Sequence, residues 1–178
     1  MNLLAAILAA APLWQLPTPL MQQHFGAELP TIVEAAQAND CHSDQLFIVL
    51  LAIRKAENGA HGREFGVLHP RALNQANSLR VQAGWCAATI RKNFTRWVTA
   101  QDKRDFIDFL GDRYCPVGAD NDPHGLNRHW KGNVRHWVVR LAGPVSWLKS
   151  AKSLEHLQSN GIYSIWGSTV LPTTKGRD

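Results

Sequence analysis

Residues 44–59 read DQLFIVLLAIRKAENG, and this stretch decides the fold. Every residue from Leu46 to Ile53 is apolar, which predicts a helix over residues 44–56 that is buried on nearly all sides. The helix delivers one acid, Glu57, to its C-terminal end, and Gly59 follows almost at once. We therefore expect a domain built around this central helix, with a carboxyl group at the end of it.

The rest of the chain shows apolar periodicity of the helical kind, so the fold class is mainly α. Sequence rich in Gly, Pro, Asn and Asp predicts a loop or small β-hairpin over residues 57–77 and a second loop over 115–125. Further helices are predicted over residues 31–38, 79–98, 101–114, 126–141 and 146–158, and a short apolar piece over 162–166.

The composition bounds the class of protein. The chain has 178 residues, 45% hydrophobic and 19% charged, which is typical of one globular domain rather than of a disordered chain. It contains no run of about 18 apolar residues, so we expect no transmembrane segment.

The formal net charge is +5, and no Lys or Arg precedes Arg54. This charge indicates a polyanionic partner, such as nucleic acid, an acidic membrane surface or an anionic wall polymer. One helix face suits such a polymer, although a solvated surface is the more common explanation for such a run: Arg128, Lys131 and Arg135.

The chain divides into an N-terminal apolar segment with a Pro-rich connector (residues 1–30), one folded domain (31–170) and a flexible tail (171–178). The first segment begins with an apolar stretch, residues 3–13, of the length of a signal sequence. No basic residue precedes this stretch, and Pro12 follows its small residues. We therefore expect a packed helix there rather than a cleaved signal.

The three cysteines, Cys41, Cys86 and Cys115, are an odd number with no close pair. This spacing argues against a disulfide framework and against a CxxC metal site. One bridge with one free thiol stays open, but three buried thiols are the favoured interpretation.

Glu57 is the candidate for chemistry because of where the central helix places it. The helix dipole is negative at that end and the surroundings are apolar, and both effects raise the pKa of a carboxyl group. A carboxyl group that stays protonated near neutral pH suits protonation of the leaving oxygen in glycosidic bond cleavage. The alternative is that Glu57 simply ends the helix and pairs with Arg54 or a later arginine.

Two segments of the chain resemble a known family. Residues 52–67 resemble the catalytic segment of lysozyme-like, lytic-transglycosylase-like peptidoglycan hydrolases, especially the small members encoded by bacteriophages and prophages. Residues 113–134 resemble the Tyr-containing segment of cell-wall glucosaminidases and the helix after it. Together the likeness covers about residues 45–140. The residues that carry it are Ala52, Ile53, Glu57, Gly59, Gly62 and Phe65-Gly66-Val67 in the first segment, and Arg113-Tyr114-Cys115-Pro116, Asn121-Asp122-Pro123, Leu126-Asn127, Trp130 and Asn133-Val134 in the second.

The resemblance implies a lysozyme-like helical domain that cleaves the N-acetylmuramic acid/N-acetylglucosamine strands of peptidoglycan, with Glu57 as general acid and without cofactor or metal. A hydrolase needs a second carboxylate, for which Glu64 is the first candidate and Asp120 or Asp122 are the others. A lytic transglycosylase needs none, because the 6-hydroxyl of the substrate closes an anhydro ring. By the same resemblance the substrate-binding residues are Gly66, Tyr114, Asn121, Asp122 and Asn127.

The chain departs from the family in one place. Phe65-Gly66-Val67-Leu68 stands where the usual Glu-Ser and Gly-Leu-x-Gln motifs of transglycosylases are expected. This departure leaves the type of reaction open between hydrolysis and transglycosylation.

Several of these residues also have a structural interpretation. Glu64 can pair with Arg63 or Arg71, Tyr114 can pack in the core, and Asn121 is a typical turn residue. Three tryptophans lie on apolar helical stripes and are expected in the core rather than against a sugar: Trp97, Trp130 and Trp137.

Partners and location follow from the favoured interpretation. We expect action at the bacterial cell wall, with the peptidoglycan strand as partner, other phage or wall components as further partners, and no nucleic acid. Three rival functions stay open: a zinc protein, a basic helical nucleic-acid-binding protein, and a catalytically inactive lysozyme-like structural or wall-binding module. The histidines at 124, 129 and 136 lack metal-ligand spacing, and no helix-turn-helix motif is recognisable.

Overall fold

The structure, a computed structural model, describes residues 19–41, 44–73 and 75–142. These residues form six α-helices and two short 3₁₀ helices, with no β-strand among them, and the prediction of a mainly α fold is confirmed for this part of the chain. No helix within these ranges is long and apolar enough to span a membrane. The α-helices are α1 (Pro19–Phe25), α2 (Leu29–Ala38), α3 (Asp44–Glu57), α4 (Ser78–Thr99), α5 (Phe106–Tyr114) and α6 (Trp130–Ala142), and the 3₁₀ helices are Gly26–Glu28 and Leu126–His129.

Helix α3 lies at the centre of the core. Its residues from Val49 to Ile53 have no exposed surface, as the unbroken apolar run predicts. Helix α3 packs mainly against α6, and α2 packs against α4. Residues 19–30, the last part of the segment that the sequence assigns to an apolar stretch and a Pro-rich connector, form α1, a 3₁₀ turn and the start of α2. They do so because Met21, Phe25 and Leu29 are spaced four residues apart and are all buried in the same core.

Two helices begin later than the sequence predicts, because the local backbone conformation decides where each one starts. The helix expected from residue 101 begins at Phe106, since Asp105 has extended backbone and its carboxylate accepts a hydrogen bond from the Asp108 N–H (2.8 Å). The helix expected over residues 126–141 is divided. Gly125 is left-handed (φ 63°), a 3₁₀ turn follows it, and α6 begins only at Trp130.

The segment between α3 and α4 is a loop. The sequence allows a loop or a small β-hairpin there, and the described residues of 58–77 contain turns and no strand. Predictions for residues 1–13, 146–158, 162–166 and 171–178 lie outside the described residues.

One buried side chain on α4 holds this loop in place. Gln82 has no exposed surface. Its Oε1 accepts hydrogen bonds from the backbone N–H groups of Phe65 (3.3 Å) and Val67 (3.1 Å). Its Nε2 lies within hydrogen-bond distance of the carbonyl oxygens of Gly62 (3.1 Å), Val67 (2.9 Å) and Ala72 (3.0 Å). Gln82 thus satisfies backbone groups that a strand or helix would otherwise pair.

We expect Gln82→Leu to lower the free energy of unfolding by about 3 kcal/mol or more, because each buried backbone group left unpaired costs about 1–3 kcal/mol. Denaturation in urea measures this loss. Gln75→Leu is the matched control, since Gln75 lies in the same loop and its side chain makes a local bond to the Leu73 carbonyl (3.3 Å). Equal losses in the two variants would contradict the role given to Gln82.

Candidate active site

The Glu57 carboxyl group lies at the end of α3 in a largely apolar environment. Burial raises its pKa, and a hydrogen bond from the Trp130 indole N–H to Glu57 Oε1 (2.7 Å) acts in the opposite direction but does not cancel the effect. The direction agrees with the expectation from the sequence. The alternative pairing with Arg54 does not occur, because the Arg54 guanidinium makes a bidentate ion pair with Glu28 (2.9 and 2.7 Å).

Gly66 brings the backbone of the loop directly against this carboxyl group. Its φ is +68°, a conformation that L side chains rarely adopt. A Cβ at this position would lie 2.3 Å from Glu57 Oε2 and 2.6 Å from Glu57 Cδ. Glycine is therefore required at position 66 both for the turn and for the close approach to Glu57.

Tyr114 and Trp130 form the aromatic wall behind Glu57. Their rings are stacked, with centroids 5.2 Å apart and an interplanar angle of 25°. The Tyr114 hydroxyl donates a hydrogen bond to the Phe65 carbonyl (2.5 Å) and interacts with the buried Cys86 thiol. Burial raises the pKa of Tyr114 and of Cys86 well above their usual ranges, so both stay neutral beside Glu57. The wall excludes water from one side of the carboxyl group and ties the end of α5 to the loop.

Glu64, the first candidate for a second carboxylate, has one oxygen engaged elsewhere, while its buried Oε2 has no hydrogen-bond partner among the described residues. Its side chain is 5% exposed, and the hydroxyl of Ser78, the first residue of α4, donates to Glu64 Oε1. Arg54 Nη1 donates to the Glu64 backbone carbonyl (3.3 Å). The Glu64 side chain is thus bonded to Ser78 rather than to Arg63 or Arg71, the partners expected from the sequence. This arrangement joins the loop to the start of α4.

The loop from 115 to 125 is shaped by two of the other predicted residues. The buried Asp122 carboxylate accepts hydrogen bonds from the backbone N–H groups of Leu126 (2.6 Å) and Asn127 (3.2 Å), and the Asn127 side chain donates to the Pro116 carbonyl (2.8 Å). Asp122 and Asn127 therefore hold the loop closed. Asn121 is exposed at the turn.

The structure therefore brings together only part of the predicted set. Glu57, Gly66 and Tyr114 meet at one place, whereas Glu64 is bonded to α4, Asp122 and Asn127 shape a loop, and Asn121 is exposed. The sequence expectation for Trp130 was core packing, and it is indeed buried, yet its N–H is the donor to Glu57. A buried indole N–H needs a hydrogen-bond acceptor, and Glu57 is an acceptor that is itself largely buried. This requirement is the property of the sequence from which the pairing could have been inferred.

Two further predictions concern the cysteines and the basic face of α6. All three cysteines are free, with Cys41 and Cys86 buried and Cys115 half-buried. Lys131 and Arg135, two members of the predicted basic face of α6, form ion pairs with acids of the α5 region, namely Asp112, Asp105 and Asp108. No cluster of three potential metal ligands occurs in the described ranges.

Comparisons of the chain with protein-family models, with curated proteins and with solved structures find no match in any of the three. Any statement about function therefore depends on the geometry of the site and on the motifs of the sequence.

We expect Gly66→Ala to destabilise the protein more than Gly118→Ala does. Gly118 also has positive φ (+77°), but a Cβ there has no atom within 4 Å. Both variants carry the backbone cost of about 1–2 kcal/mol for a left-handed residue, and only Gly66→Ala also displaces the Glu57 carboxyl group. Unfolding free energies from urea denaturation test this difference, which should vanish if the carboxyl group does not contact residue 66.

We expect the stability of Glu57→Gln relative to the parent to increase as the pH rises. Burial raises the folded-state pKa of Glu57. Protonation of Glu57 therefore stabilises the folded parent fully below the unfolded-state pKa of about 4.3, and this stabilisation is lost as the pH rises through the folded-state pKa. Glutamine keeps an oxygen for Trp130 and carries no charge. Unfolding free energies at pH 4 and pH 8 measure the effect, and a difference independent of pH would contradict it.

Proposed function

We propose that this protein cleaves the glycan strands of bacterial peptidoglycan, with Glu57 as the general acid. One observation carries the proposal: a carboxyl group at the end of the most buried helix has a raised pKa caused by burial, and is held in a fixed position by Trp130 and Gly66. Such a group is protonated where an ordinary glutamate is ionised, which is the state that a general acid needs. The resemblance of residues 52–67 and 113–134 to lysozyme-like peptidoglycan hydrolases supports the choice of substrate.

The two oxygens of Glu57 have different surroundings, and this suits a proton donor. Oε1 accepts the bond from the Trp130 indole, so the transferable proton belongs on Oε2. In the first step this proton moves to the glycosidic oxygen as the bond from that oxygen to C1 of the sugar breaks. The Trp130 bond then stabilises the carboxylate that is left behind.

The contacts of the other carboxylates favour a route that needs only Glu57. Glu64 Oε1 is bonded to Ser78, and Asp122 is bonded to backbone N–H groups of the 3₁₀ turn that follows its loop. Asp120, the third candidate, lies exposed in that loop. Moving the side chain of Glu64 or Asp122 to the sugar would break these bonds. In the proposed second step the Glu57 carboxylate takes the proton of the substrate's 6-hydroxyl, whose oxygen bonds to C1 and closes a 1,6-anhydro ring. This is the lytic transglycosylase reaction, and it needs no cofactor.

The remaining predicted residues have supporting parts in this proposal. Tyr114 keeps water from one side of Glu57 and links the two loops, while Asp122 and Asn127 shape the loop that presents the exposed Asn121 to the strand. The protein would act at the bacterial cell wall, where its net charge of +5 favours an anionic polymer.

We expect Glu57→Gln to lower the rate of peptidoglycan cleavage by about 10²–10⁴-fold, because the transferable proton is lost. Glu64→Gln is the matched control, since glutamine can still accept the Ser78 hydrogen bond, and it should keep most of the activity. Digestion of purified peptidoglycan, with products identified by mass, measures both variants.

The products separate the alternatives. Anhydro ends that depend on Glu57 support the proposal, whereas reducing ends together with loss of activity in Glu64→Gln would replace it with a two-carboxylate hydrolase. Retention on the wall without any product would identify an inactive binding module. Neither cleavage nor retention would overturn the choice of substrate.

A further inference from the structure

A groove of about 460 Å³ lies on the outer side of α4, away from the interior that holds Glu57. Small residues form its floor, since Gly84 and Ala88 succeed one another along one face of the helix. A Cβ at Gly84 would lie 3.6 Å from Nδ2 of Asn39, the residue that follows α2, so α2 and α4 are in close contact here. Polar and aromatic groups stand around this floor: Asn39, Arg80, Trp85, Thr89 and Lys92.

Trp85 provides a flat apolar surface in this groove. Its side chain is 39% exposed, which is unusual for a tryptophan on the longest described helix. One ring face is held by the His69 imidazole, with centroids 4.5 Å apart and an interplanar angle of 25°. The Thr89 hydroxyl and the Asn39 amide donate to backbone carbonyls of Trp85 and Ala35, so they offer oxygens as acceptors. An exposed indole beside such acceptors suits the apolar face of a sugar ring whose hydroxyls donate at its edges.

The charge of α4 selects an anionic partner. The helix contains four basic residues and no acid of its own, but Arg80, at the groove, forms an ion pair with Glu34 of α2. Lys92 lies two turns beyond Trp85 on the same face, about 10 Å along the axis, and has no ion pair within the described ranges. In contrast, Lys131 and Arg135 of α6 are neutralised by neighbouring acids. The groove is thus a place where a sugar ring and a carboxylate about 10 Å apart would both find a partner.

The loop that contacts Glu57 also borders this groove. Gly66 touches the Glu57 carboxyl group, and His69, only three residues further on, stacks on Trp85. Three residues span at most about 11 Å of backbone. Gln82, one turn before Trp85, fixes the loop between these two contacts.

We infer that the groove binds a second stretch of the glycan strand, a polymer of acetylated sugars bearing carboxylates, with Trp85 stacking on a sugar ring and Lys92 pairing with a carboxylate. This inference rests on the proposed function, since it extends the contact of the same strand beyond the cleavage point. The groove would increase retention on long strands without taking part in the proton transfers at Glu57.

The test measures binding and cleavage separately. Retention on insoluble peptidoglycan is measured in the Glu57→Gln background, so that the strand stays intact. We expect Trp85→Ala and Lys92→Glu to weaken retention by about tenfold each. The matched controls are Val139→Ala, which removes another exposed apolar side chain, and Lys103→Glu, which reverses another exposed charge, and both should bind as the parent does.

A second measurement uses the protein with Glu57 intact. Trp85→Ala should raise the KM for long strands and leave the kcat unchanged, because Trp85 lies outside the reacting atoms. A fall in kcat with unchanged KM would overturn the inference in favour of a structural effect on the loop.

The outcomes distinguish the groove from the site. If Trp85→Ala is retained on peptidoglycan as well as the parent is, the inference that the groove binds the strand is overturned, whatever the products of cleavage are. Retention that depends on Trp85 and Lys92, without any cleavage by the parent, supports the groove and overturns the proposed activity. Retention on duplex DNA but not on peptidoglycan, lost in Lys92→Glu, would assign the groove to nucleic acid and overturn the inference.

Discussion

The hydrogen bond from the Trp130 indole to the Glu57 carboxyl group is the contact on which the rest of the structure depends. It joins the end of α3 to the start of α6, the two helices that share the largest contact in the described fold. The bond fixes the position of a group whose burial is unfavourable in the ionised state. The same bond gives the buried Trp130 indole N–H its acceptor, so an apolar side chain at this position would leave that donor unpaired.

The loop between α3 and α4 is organised around that contact. Gly66 closes against the carboxyl group, Tyr114 bonds to the residue before it, and Gln82 satisfies the backbone groups on both sides. None of these interactions belongs to a regular strand or helix. The loop therefore owes its shape to side chains of three different helices, which makes the geometry at Glu57 sensitive to how those helices pack.

The helices were predictable from the sequence because their apolar residues recur with helical spacing. The unbroken apolar run from Leu46 to Ile53 predicts α3 to within one residue of its observed end. The position of Glu57 and the upward shift of its pKa follow from this helix. The start of α5 was not predictable from periodicity, since the Asp105 cap decides it.

The hydrogen-bond partners of polar side chains were also not predictable from the sequence pattern. Gln82 bonds to backbone atoms 10 to 20 residues away, and backbone atoms carry no sequence signature. Glu64 illustrates the same difficulty. Its nearest charged neighbours in sequence are arginines, but the fold gives it the hydroxyl of Ser78. The exposure of Trp85 is not predictable from the sequence, because an exposed indole and a buried one look alike in a helical sequence.

The state of the three thiols has a consequence for the conditions in which the fold can form. Burial raises the pKa of the Cys115 thiol to about 12, and it raises those of Cys41 and Cys86 as well. Thiols in this state are poor nucleophiles, and none is bonded to another. The native chain thus neither requires an oxidant to fold nor offers a reactive thiolate to one. Its stability should be the same in a reducing compartment as in an oxidising one.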